Sequence, residues 1–234
     1  MNIWLQIAIM TASIFLGGLL VDLFRRSSHL KLLLSFSGGF LLTLIFVHIL
    51  PDSYEETPVS TGYFILLGFL LQLTLEYFSR GAEHGHTHVH GHELKRVFPL
   101  AIFLSLSVHA FIETIPLSAH GHEHVNSLYW GIFLHKVPVA VALKTIFTAS
   151  GYTNRMIWFY LFLFSLVAPF GMLFGTWFTE MSPQMFSWML AVTVGMLIHI
   201  STTIIFESSE SHRINFLKLV FIMLGFGTAA LLTN

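Results

Sequence analysis

Cysteine is absent from the 234 residues, which excludes a disulfide framework, a thiolate metal site and a cysteine nucleophile. Any metal chemistry must therefore use imidazole, carboxylate, amide or water ligands. Charge is nearly as scarce: only 10% of residues are Asp, Glu, Lys or Arg, against about 25% in a soluble domain. With a mean hydropathy of +0.76 the chain reads as an integral membrane protein. The basic residues form no cluster, and a formal net charge of −1 gives no basis for a nucleic-acid partner. A charged segment before the first apolar run is also missing, and that run is too long for a signal-peptide core, so it reads as a spanning helix. No long polar stretch precedes it, so no separate metal-capture module is expected.

What the chain has is apolar runs, at roughly 3–24, 31–51, 60–79, 96–116, 128–148, 156–178, 184–206 and 213–232, each long enough to cross a bilayer as a helix. The expected fold is all-α, a polytopic membrane bundle of eight transmembrane helices forming a single domain over 1–234. Arg25, Arg26, Lys31, Arg80, Lys95, Arg96, Lys144, Arg155, Arg213 and Lys218 mark the odd-numbered turns, and the even-numbered turns carry no Lys or Arg. The positive-inside rule makes the odd turns cytoplasmic and places both termini outside. Lys136 is the exception, lying inside a span.

Two neighbouring runs carry the chemistry. Val108-His109-Ala110-Phe111-Ile112-Glu113 and Leu134-His135-Lys136-Val137-Pro138 put four ionisable groups where such groups are costly and functional by default. His109 and Glu113 are four positions apart, so on a helix they share a face and can converge on one cation. The short turn 117–127 makes the two helices antiparallel neighbours. His109 lies about seven residues from the turn and His135 about seven beyond it, so both fall roughly 10 Å below the same surface. Pro138 removes a backbone hydrogen bond close to His135 and can kink its helix.

The third turn is a flexible Gly/His segment at about 80–95, in which His84, His86, His88, His90 and His92 can wrap a borderline cation on the cytoplasmic side. A smaller cluster, His120, His122, Glu123 and His124, faces outside. The second run ends on His48, Pro51, Asp52, Glu55 and Glu56, an acidic outer mouth that attracts cations. The seventh run mirrors it with Glu207 and Glu210, and both runs contain earlier glycines, Gly38-Gly39 and Gly195. Together these suggest a 3+2+3 inverted repeat around the central pair. His199, inside the seventh run, is either a pathway residue or one half of an interhelical hydrogen bond.

On these motifs the sequence resembles the ZIP family of divalent-metal transporters, over the whole chain. In that family the fourth helix typically reads His-Asn-x-x-(Glu or Asp)-Gly and the fifth (His or Gln)-(Glu or Asp)-x-Pro-(Glu or His), forming a two-metal site, while one branch carries His-Lys-x-Pro on the fifth helix, as this chain does. His109 and Glu113 match the first motif, and His135 with Pro138 the second. Ala110, Thr114, Lys136 and Val139 depart from them, and Ala168 stands where the family's sixth helix often has an acid before Pro-x-Gly. Ala110, Lys136 and Ala168 would thus remove three ligands of the second metal. This suggests that one cation is held by His109, Glu113 and His135 while the Lys136 ammonium stands in for the second, with Glu113 as its counter-ion. The alternative is that Lys136 snorkels to the outer surface.

The resemblance implies transport of Zn²⁺, or another divalent transition metal, into the cytoplasm by alternating access. The metal is the substrate, and no organic cofactor or enzymatic activity is expected. The expected partners are the ion and the lipid bilayer, with a homodimer left open, and the expected location is a bacterial inner membrane. The rival reading is an intramembrane zinc-dependent hydrolase, which needs a general base beside the metal. Glu113 can hardly serve as both ligand and base, and the two central runs offer no further acid.

Overall fold

Apolar sequence in lipid must satisfy its own backbone polar groups, and α-helices do so within each segment. The computed structural model describes residues 2–23, 27–56, 58–82, 99–118, 123–207 and 216–232, and the described residues are helical almost throughout. The helices are α1 (Ile3–Leu23), α2 (Ser27–Leu44), α3 (Leu50–Glu56), α4 (Pro58–Ser79), α5 (Leu100–Thr114), α6 (Glu123–Ala149), α7 (Asn154–Ser165), α8 (Val167–Met181), α9 (Pro183–Glu207) and α10 (Phe216–Leu232). They account for the eight expected spans. Among the described residues, seven helical segments are long and apolar enough to cross a membrane, and α10 supplies a shorter apolar one.

Two spans are interrupted, each beside a proline. Pro51 has no N–H to offer the carbonyl of Val47, and the ladder between α2 and α3 widens into a π-helical turn over Ile45–Ile49, with the Leu50 N–H donating to the Ile45 carbonyl. His48 lies in this turn. The sixth span, a single run by composition, restarts at Leu166 between α7 and α8. Pro169 then falls in the first turn of α8, where its missing N–H would have had no partner anyway. Pro138 behaves differently: α6 runs through it without interruption.

The helix pairs recur in a pattern. α2 packs on α10 as α9 packs on α4, and α1 packs on α6 as α8 packs on α5. This is the pairing that a 3+2+3 inverted repeat produces. Without a hydrophobic drive between helices in lipid, such pairs depend on small residues that let backbones approach. A Cβ on Gly68 would lie 2.0 Å from the Val192 carbonyl oxygen, and one on Gly195 1.9 Å from that of Ile65, so α4 and α9 meet backbone to backbone. Gly39 and Gly225 do the same for α2 and α10. Gly195→Ala should therefore cost about 3 kcal/mol or more, beyond ordinary overpacking, because it must move main chain. Gly227→Ala, with nothing within 4 Å of the new methyl, is the control. Thermal melting in detergent reads the difference, and equal melting temperatures would contradict the close contact.

Candidate metal centre

α5 and α6 present their polar residues to each other in the middle of the bundle. His109, Glu113, His135 and Lys136 are between 0 and 2% exposed. One ligand atom each from His109, Glu113 and His135 lies within 4.8 Å of the others, a spacing that could hold a metal ion. The two imidazoles stand nearly perpendicular, their ring centroids 5.9 Å apart. α5 continues as a 3-10 turn to Ser118 and α6 begins at Glu123, further out than the apolar runs suggested. His109 is nine and His135 twelve residues from these ends, so the cluster lies deeper than expected, roughly 14–18 Å in.

The hydrogen bonds divide the cluster. Lys136 Nζ donates to Glu113 Oε1 at 2.6 Å. Lys136 is thus buried against a counter-ion and does not reach the surface. Glu113 Oε2 lies 3.3 Å from His109 Nε2, yet neither atom makes a hydrogen bond among the described residues. Buried polar atoms of that kind require an explanation. Two imidazoles and one carboxylate oxygen form an N₂O donor set that suits Zn²⁺, Fe²⁺, Co²⁺ or Ni²⁺ better than Mg²⁺ or Ca²⁺. A water can complete a tetrahedral shell. Ala110 and Ala168, two of the departures from the family motif, are buried and carry no donor atom.

Apolar layers close the cluster on both sides. Ile45, Ile49, Leu117, Leu128 and Tyr129 pack together toward Ser118 and the start of α6. Ile102, Leu106, Leu143, Phe147 and Ile157 pack toward the start of α5 and the end of α6. The cluster is therefore occluded.

Three polar contacts, one fully buried and two part-buried, were not legible in the sequence. Gln72 on α4, fully buried, has its Oε1 2.9 Å from His109 Nδ1. Glu76, one turn further along α4, pairs with Nε2 of His199 on α9. Of the two readings of His199, the interhelical bond is thus present. Lys144, which the sequence suggested marks a turn, is buried in α6: it donates to the Gly18 carbonyl at 3.0 Å and to Asp22 at 2.7 Å, and its Nζ sits 4.3 Å from the Trp158 ring centroid. Gln72 and Glu76 belong to a lipid-facing run with no motif around them, and only an unexpected polar residue in an apolar helix could have marked them.

Among the described side chains, the cluster contains none of the other expected site residues. His48 is half-buried in its π-helical turn. Asp52, Glu55, Glu56 and Glu207 lie in described helices, but their side chains lie outside the description, as do those of Glu123 and His124. His84, His86, His88, His90 and His92, together with His120, His122 and Glu210, lie outside the described residues.

A polytopic α-helical bundle with a buried imidazole–carboxylate cluster at its centre defines a class, the multi-pass membrane proteins built around an intramembrane polar site. The comparisons narrow it. The family model described as ZIP zinc transporter matches residues 82–233, and the chain belongs to that family. It is 29% identical over 256 aligned positions to the zinc transporter YKE4 of Saccharomyces cerevisiae, covering 89% of this chain and 72% of that protein. It is 26% identical over 170 positions to protein zntD of Dictyostelium discoideum, covering 64% of this chain and 24% of that much longer protein. The family is one of transporters, and nothing in these matches supports the hydrolase.

Proposed function

We propose that this protein carries a divalent transition metal, zinc foremost, across the membrane, and that His109, Glu113 and His135 bind it in transit. The observation that supports this most is the convergence of one donor atom from each of the three within 4.8 Å in an occluded apolar core. The zinc transporter named among the relatives points to the same ion.

Lys136 occupies the place of a second ion. An ammonium held 2.6 Å from Glu113 neutralises the carboxylate as a metal would, leaving Oε2 for the cargo. It also repels that cargo, and a carrier must release what it binds. Alternating access would open the two apolar layers in turn. Asp52, Glu55 and His48 would gather ions at the outer mouth, and His84 to His92, with Glu207, would receive them in the cytoplasm. The basic turns orient the chain this way.

Zinc accumulation in proteoliposomes tests the reading. Wild-type vesicles should fill with ⁶⁵Zn²⁺ over time, while empty liposomes and those carrying His135→Ala should not. Accumulation by His135→Ala at the wild-type rate would remove the site from the pathway, and failure of the wild type to accumulate would remove the transport reading itself.

A further inference from the structure

We infer that Gln72 is the positioning residue of the metal centre, fixing the tautomer and orientation of His109 so that Nε2 faces the ion. The inference rests on the reading that His109 binds the cargo. A primary amide in an apolar span costs free energy unless its polar atoms are satisfied, and Gln72 is fully buried on a helix whose span is only 17% buried. Its Oε1 meets His109 Nδ1 at 2.9 Å. A carbonyl oxygen only accepts, so Nδ1 carries the proton. In a neutral imidazole the lone pair then sits on Nε2, the nitrogen 3.3 Å from Glu113 Oε2 that has no hydrogen bond among the described residues. Metal-ligating histidines generally hold their other N–H in such a bond.

The support is rigid. Gln72 lies one turn from Gly68, where α4 touches the α9 backbone, and one turn from Glu76, which pairs with His199 on α9. Ser105 on α5 donates to the Leu75 carbonyl at 2.5 Å, tying α5 to α4 at the same level. The acceptor is therefore fixed in space before any ion arrives. Its chemistry is also suited to a carrier. A carboxylate in this place would pull the Nδ1 proton harder and make His109 a stronger donor, whereas a neutral amide orients the ring without deepening the well.

The test is equilibrium zinc binding to purified protein in detergent, for wild type, Gln72→Leu, Gln72→Glu and His109→Ala, with ¹⁵N spectra of the His109 ring and with initial uptake rates. Gln72→Leu should weaken zinc binding roughly 10- to 100-fold and let the Nε2–H tautomer appear. Gln72→Glu should bind at least as tightly as wild type, keep the Nδ1–H tautomer and turn over more slowly. Wild-type affinity in Gln72→Leu, or an unchanged tautomer, overturns the inference. If Gln72→Leu does not fold, Gln72→Glu decides: tighter binding with slower uptake supports it, and wild-type values of both overturn it. Loss of binding in His109→Ala with wild-type affinity in Gln72→Leu refutes this inference alone. Unchanged binding in His109→Ala refutes the metal site beneath it.

Discussion

Methionine in place of Lys136 should leave the metal-free protein about 3–5 kcal/mol less stable, the cost of removing one partner from a buried ion pair. Glu113, at 1% exposure, would lose the ammonium that lies 2.6 Å from it and be left buried without its partner. At about 2–4 °C per kcal/mol for a chain of this size, the melting temperature should fall by roughly 6–20 °C. Zinc should recover most of the loss. An ion at 1,000 times its Kd adds about 4 kcal/mol, and in the variant it also replaces the missing positive charge, so the zinc-induced rise should exceed that of wild type. Melting in detergent with and without zinc decides the matter. A variant that melts like wild type, or whose melting ignores zinc, would mean that the ammonium is not an ion's substitute. Lys136→Asp extends the test by restoring the acid that the family motif has here. If its zinc stoichiometry per chain and its uptake both match wild type, the substitution idea fails.

Loss of either imidazole should have the largest effect on transport. Even outer-shell partners of a metal ligand are worth 10- to 100-fold in affinity, so His109→Ala should lower zinc affinity and uptake by about 100-fold or more. His109→Ala and His135→Ala should not add, because residues that act as one unit lose most of their function with the first deletion. The double variant should transport about as poorly as either single one. Fold is not at stake to the same degree, since each ring stands on an uninterrupted helix packed on both sides. Melting temperatures of the apo proteins therefore serve as the control. Additive losses, with each single variant still transporting at a tenth of the wild-type rate, would mean that the two histidines do not share an ion.

Both experiments concern residues that the sequence exposes. His109, Glu113, His135 and Lys136 stand out because an apolar run cannot hide an ionisable group, and the i, i+4 spacing fixes the relation of His109 to Glu113 before any fold is known. The eight spans are legible for the same reason. Their interruptions are not. Pro51, Pro138 and Pro169 look alike in sequence, yet one sits beside a π-helical turn, one is absorbed in a continuous helix and one begins α8. Lys144 shows the complementary failure: a basic residue at the end of a run reads as a loop marker, and only the approach of Gly18, Asp22 and Trp158 makes it a buried tie between helices.

Hydropathy and the placement of rare charges thus determined, without a fold, that this chain is a helical membrane bundle with a polar site on its fourth and fifth spans, because lipid penalises every exception locally. Tertiary structure alone decided that Glu113 turns one oxygen to Lys136 and the other toward His109, and that Gln72 from a third helix meets His109. Those are distances between helices, and no periodicity within one helix encodes them.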